Sequence, residues 1–176
     1  DPNRHWSSMI DMDIVVVYNS LLLNSGLKSQ YFDQPSHTLL LINSYYYTFL
    51  DFIRLIDTSN FTEIINSKNL PDDYQNLFFY SRLLNGFFIF LFAYLIFNVG
   101  QIFKVNLLTL FLLIVSFLFS NSVLNIAGIL RTEITSSLFL YSSLYFLHLS
   151  VIEFQKKRKY LVFFTIFIIL SIFSKY

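Results

Sequence analysis

Cysteine is absent from the 176 residues, which excludes disulfides and thiolate metal sites and leaves the redox compartment unmarked. Charge is scarce too. Only 13% of the chain is Asp, Glu, Lys or Arg, against about a quarter in an average soluble domain, so the polar surface needed to cover a water-soluble globule is missing. Glycine (4) and proline (3) are few. A net charge of +1 gives no reason to expect a nucleic-acid partner. No Gly-rich phosphate loop, zinc-type His spacing or nucleophile elbow is found. What the chain has instead is apolar bulk: 55% hydrophobic residues, with 22 Phe and 12 Tyr. It starts at Asp1 without Met and ends inside an apolar run, as expected of a segment of a longer protein.

Four apolar runs read as membrane helices: Leu83–Phe97, Val105–Phe119, Ile134–Ile152 and Tyr160–Phe173, the last clipped by the chain end. Crossing roughly 30 Å of hydrocarbon takes about 20 residues, which the shorter runs reach through uncharged polar flanks. One such run could be a buried core helix, but four in succession with short connections argue against it. Lys156, Lys157, Arg158 and Lys159 lie between the third and fourth runs and Lys104 between the first and second. Parity puts these connections on one side, and the positive-inside rule makes it the cytoplasm. Residues 1–78 and the connection at 120–132 then share the opposite face.

The expected fold is therefore all-α: a polytopic membrane helical bundle at 79–176, preceded by an extracytoplasmic loop at 1–78 with interfacial amphipathic helices. In that loop Asp13 reads as an N-cap and Gly26 as the C′ residue of a first helix with Asn19, Ser20 and Asn24 on one side. Residues Ser36–Ile56 read as a second helix, with His37, Ser44, Thr48 and Asp51 on one stripe. The competing reading makes Thr38–Leu50 a fifth span, at the cost of Asp51 and Arg54 near its end. Residues 57–76 read as a polar connection broken by Pro71.

Several places could carry chemistry. Asp11 and Asp13 could hold a divalent cation or act as a general base, although capping alone accounts for Asp13. The turn from Tyr31 through Asp33 and Pro35 to His37 could be simple punctuation before a helix. Arg82, at the outer mouth of the first span, could snorkel or hold a phosphate. Arg131 and Glu133 open the third span on the same face, where charge so near hydrocarbon points to function. Being two apart, they would not face each other on a helix. His148, deep in the third span, reads as a packing residue. Asn60-Phe61-Thr62 fits the short glycosylation sequon.

In this order the motifs resemble the N-terminal part of a GT-C superfamily glycosyltransferase that uses a polyprenyl-phosphate sugar, as in the protein mannosyltransferase and aminoarabinose transferase group. The stretches that carry the likeness are Asp11-Met12-Asp13 with the helix to Gly26, the turn Tyr31 to His37, Tyr80-Ser81-Arg82-Leu83-Leu84-Asn85-Gly86, and Leu130-Arg131-Thr132-Glu133. The departures are Asp-Met-Asp where many members have Asp-Glu, and Pro35-Ser36 in place of Pro-Pro.

The resemblance implies an inverting transfer from the lipid carrier to an extracytoplasmic protein, lipid or glycan acceptor. It implies Asp11 as catalytic base and Asp13 as a second catalytic acid group, with Tyr31, Asp33, His37, Arg82, Arg131 and Glu133 binding substrate. A divalent ion (Mg or Mn) could sit at Asp11, Asp13 and Glu133. The expected location is an integral membrane protein, in a bacterium the inner membrane, and the segment alone is expected to be inactive. A polytopic transporter and a non-catalytic membrane scaffold are the alternatives.

Overall fold

In a computed structural model the described residues, 12–30, 37–128 and 130–175, are mostly helical, and no β-strand occurs among them. Helix α1 spans Met12–Asn24, α2 His37–Phe52, α3 Phe61–Ile65 and α4 Leu70–Ile102. Then come α5 (Leu107–Leu118), α6 (Asn121–Ala127), α7 (Thr132–Ile152), a short 3-10 helix at Phe154–Lys156, and α8 (Lys157–Lys175).

Gly26 ends α1 as the sequence predicts. At φ 69° it closes a Schellman turn, in which the Leu27 N–H donates to the Leu22 carbonyl at 2.9 Å and the Gly26 N–H to that of Leu23 at 3.0 Å. The same bond pattern ends α2 at Arg54 (φ 59°) and α4 at Lys104 (φ 52°). A side chain in that left-handed region costs about 1–2 kcal/mol, so these two stops are strained where Gly26 is not.

Pro71 does not break the connection after α3; it starts α4. Proline fits the first turn because its missing N–H would have no helical partner there. Asp72 and Asp73 beside it complement the helix dipole. The domain boundary expected at 78/79 thus falls inside a continuous helix of 33 residues.

Helices α4 and α7 are long and apolar enough to cross a membrane. Only 33% and 39% of their apolar stretches are buried, whereas a core helix of a soluble protein is mostly buried. The uncharged part of α4, from Leu83 to Ile102, is about 30 Å long, and that of α7, from Ile134 to Ile152, about 28 Å.

The expected second span is interrupted. α5 alone is about 18 Å long, and the chain breaks at Phe119–Ser120 because the Ser120 hydroxyl accepts the Val123 N–H at 3.3 Å and caps α6. In α8, Lys157, Arg158 and Lys159 occupy the first turn, leaving a shorter apolar run than the two long helices have.

Ring contacts fix the directions of these helices. Phe92 stacks on Phe117 of α5 (5.1 Å), while Tyr141 of α7 meets Phe92 (5.4 Å) and His148 stacks on Phe103 (5.5 Å). α5 therefore runs against α4, and α7 runs with it. Phe146–Phe163 (5.1 Å), Phe139–Phe167 (5.9 Å) and a bond from the Ser171 hydroxyl to the Ser136 carbonyl (2.9 Å) set α8 against α7. Up–down alternation gathers Lys104, Lys156, Lys157, Arg158 and Lys159 at one end, with Glu153 the only acidic residue among them.

At the other end α1 and α3 pack on α4, while α2 packs on α1 and on α8. The polar side of α1 faces inward there, contrary to the expectation of an interfacial helix showing it outward. The Asn24 side-chain amide donates to the carbonyls of Ser44 (3.0 Å) and Ser59 (2.7 Å). Asn19 Oδ1 accepts from Ser29 Oγ and the Gln30 N–H, both at 2.9 Å. On α2 the predicted polar stripe is split, with Ser44 buried and His37 and Thr48 exposed. What α2 shows outward is Leu41, Tyr45, Phe49 and Phe52, one face at helical spacing.

Candidate functional site

Asp13 is not spent on capping α1. Its Oδ2 pairs with Arg82 of α4 at 3.0 Å, and its Oδ1 accepts the backbone N–H of Leu130 at 2.6 Å. The Arg82 side chain is 1% exposed and that of Asp13 4%. Three chain segments far apart in sequence thus meet at one carboxylate. Burying such a pair costs several kcal/mol per ion, and only good geometry with extra hydrogen bonds repays it; the Leu130 amide supplies one of them.

A fourth element joins through Tyr47 of α2. It is fully buried, and its hydroxyl lies 2.5 Å from Ser81 Oγ, next to Arg82. Burial pushes the Tyr47 phenol above its usual range, and the nearby Asp13 carboxylate adds to the rise. The phenol is therefore neutral at physiological pH. Tyr47 does not stand out in the sequence, because a Tyr among Tyr45, Tyr46 and Tyr47 carries no local mark, and Ser81 enters only as part of the stretch Tyr80 to Gly86.

Arg82 was expected at the mouth of a span, snorkelling or open to phosphate. It lies more than three turns inside α4, packed against Asp13. The terminal nitrogen that meets Asp13 is committed to the carboxylate, so Arg82 gives no exposed phosphate site in this arrangement. Asp13 is likewise engaged at both oxygens, by Arg82 and by the Leu130 amide, so in this arrangement it is a structural partner.

Arg131 and Glu133 do pair, at 3.6 Å, with side chains 48% and 60% exposed. The sequence argument against this assumed that both are helical. Arg131 is the N-cap of α7 with extended backbone (φ −123°, ψ 141°), which lets its side chain swing to Glu133. The pair stands on the surface immediately after Leu130, and so close by the buried junction.

Asp11, Tyr31 and Asp33 lie outside the described residues. His37 is exposed at the start of α2. Among the described residues no three His, Asp or Glu side chains cluster in a way that could hold a metal ion. The sequon residues serve α3: Asn60 Oδ1 accepts the Glu63 N–H (2.9 Å) and the Thr62 hydroxyl (2.7 Å), and Glu63 answers the Asn60 N–H (3.3 Å) in a capping box.

Comparison with known proteins found no matching family model, no matching curated protein and no matching solved structure.

Proposed function

We propose that the chain is a polytopic membrane protein acting as part of a glycosyltransferase that moves a sugar from a polyprenyl-phosphate carrier to an extracytoplasmic acceptor. The membrane reading is supported by two uncharged helical stretches of about 28–30 Å, each close to the bilayer's hydrocarbon thickness. It is also supported by the large apolar residues these helices show outward, such as Phe87, Phe90 and Val151. The basic residues at one end give the orientation, with that end cytoplasmic. In this reading α5 and α6 together make the second crossing and α8 the fourth, and the outward aromatic face of α2 rests in the interface.

The observation that carries the transferase reading is the Asp13–Arg82–Leu130 junction. It anchors the chain two residues after Asp11 to the loop that leads into Arg131. Asp13 and Arg82, expected among the reacting and binding groups, become positioning residues. Asp11 is then the base: it takes the proton of the acceptor hydroxyl, whose oxygen attacks the anomeric carbon. The carbon–oxygen bond to the carrier breaks with its electron pair going to the phosphate, and the configuration inverts. A developing phosphate charge is best met by an exposed guanidinium, and Arg131 qualifies where Arg82 does not. Glu133 holds Arg131 until the phosphate competes for it. His37, Tyr31 and Asp33 remain candidates for substrate contacts.

A transporter would need polar groups near mid-membrane, whereas the buried ion pair lies at one end of the uncharged run of α4. The transferase reading is tested with the complete protein and a lipid-phosphate sugar donor. Asp11→Asn should lower transfer by at least about 100-fold, the contribution expected of a general base, at normal membrane expression. Undiminished transfer by that variant would remove Asp11 from the chemistry.

A further inference from the structure

A lateral cavity of about 580 Å³ opens between α4, α5 and α7 toward the basic end of the bundle. Its size lies within the roughly 300–1,000 Å³ of small-molecule sites. The walls are almost wholly carbon: Leu95, Val99, Leu110, Leu113 and Leu144 line it, together with Tyr141, Tyr145 and His148. Gly100 forms part of its wall because Leu110 packs against it so closely that a β-carbon there would lie 2.5 Å from Leu110 Cδ1.

Charge stands at the mouth. The turn after α4 holds Lys104 exposed, one residue beyond Phe103, whose ring stacks on His148 at 5.5 Å. Past His148, α7 ends and the basic run 156–159 follows. A carbon-lined slot flanked by cations suits a molecule with a long apolar chain and an anionic head. Basic pockets between membrane helices on the cytoplasmic side bind acidic lipid headgroups in this way.

We propose that an anionic phospholipid of the leaflet at the basic end occupies this cavity, with one acyl chain in the slot and its phosphate at Lys104. The proposal rests on the membrane reading above and is independent of the transferase chemistry. The Lys104 side chain meets the phosphate by a charge-assisted hydrogen bond. His148 and Phe103 close the slot beneath the headgroup, and Tyr141, Leu144 and Tyr145 lie along the chain.

The test uses the complete protein in phosphatidylcholine vesicles doped with phosphatidylglycerol carrying a diazirine on its acyl chain. After illumination, adducts are mapped by mass spectrometry. Adducts should concentrate on the buried wall residues Leu95 and Leu110 and on Tyr145, and exceed those on Phe90 and Phe111, which face outward elsewhere. Lys104→Asn removes the charge while tolerating the left-handed turn, and should lower cavity labelling about fivefold. Leu144→Trp, which fills the slot, should lower it without altering labelling of Phe90.

Equal labelling of cavity and outer residues, or equal labelling by a phosphatidylcholine probe, would overturn the proposal in favour of ordinary bilayer contact. Labelling of Phe90 and Phe111 without the cavity would mean that another part of the protein fills it, which also overturns it. No labelling of any of these residues would sink the membrane reading itself.

Discussion

The two ends of this molecule are assembled by different forces. Around α1, α2 and α3 the packing is stitched by polar side chains: Asn24 to two carbonyls, Ser59 to Asp51 and Asp13 to Arg82. Toward the basic end, α4, α5, α7 and α8 meet through rings, with Phe92 between Phe117 and Tyr141, and Phe146 against Phe163 and Phe167. The polar bonds there are mostly Ser hydroxyls returning to their own helix, as Ser143 does to Leu140 and Ser150 to Leu147. On the membrane reading proposed above, such a difference follows from the solvent on each side. Helices surrounded by lipid gain no hydrophobic driving force from meeting and associate by close packing. An end reaching into water and headgroups must fix its geometry with specific bonds.

Substitutions at the stitched end should therefore cost the most. Arg82→Met leaves a buried carboxylate without its cation and should destabilise the protein by about 3–5 kcal/mol, seen as a lower unfolding midpoint in detergent. The double variant Asp13→Leu with Arg82→Met should recover most of that loss, because no lone charge remains. If the double variant is as unstable as the single, the junction is held by something other than the ion pair.

Asn24→Ala removes the donors to two carbonyls and should cost about 1–3 kcal/mol by the same measurement. An effect near zero would mean that water replaces those bonds, and that the inward polarity of α1 is incidental. Smaller still and opposite in sign is Arg54→Gly. Relief of the left-handed strain at φ 59°, less the entropy lost by glycine, should raise stability by about 0.5–1 kcal/mol. A loss instead would show that the Arg54 side chain contributes more than its backbone costs.

The features legible in the sequence were those with a local signal. Gly26 marks its own turn, and the long apolar runs of α4 and α7 announce themselves by composition. The break between α5 and α6 was harder, since one Ser within an apolar stretch can be a cap or merely a flank. Pro71 was ambiguous in the same way, as proline both ends and begins helices. The junction itself was out of reach. Asp13 and Arg82 are 69 residues apart and the Leu130 amide 117 from Asp13, and a backbone donor leaves no trace in residue identity. Asp13 therefore reads as a helix cap or a catalytic carboxylate, and Arg82 as a snorkelling or phosphate-binding cation, because only tertiary packing distinguishes those roles from a buried pair.

The membrane disposition of the two ends is the claim on which everything else depends, and the Cys-free segment makes it directly measurable. Single cysteines at Lys68 and Gln155, both exposed and at opposite ends, would be offered a membrane-impermeant thiol reagent in intact cells, in a background free of any other cysteine. The account predicts labelling at Lys68→Cys from outside, and at Gln155→Cys only after the membrane is opened. Labelling of both from the same side, or recovery of the protein free of membranes, would contradict it.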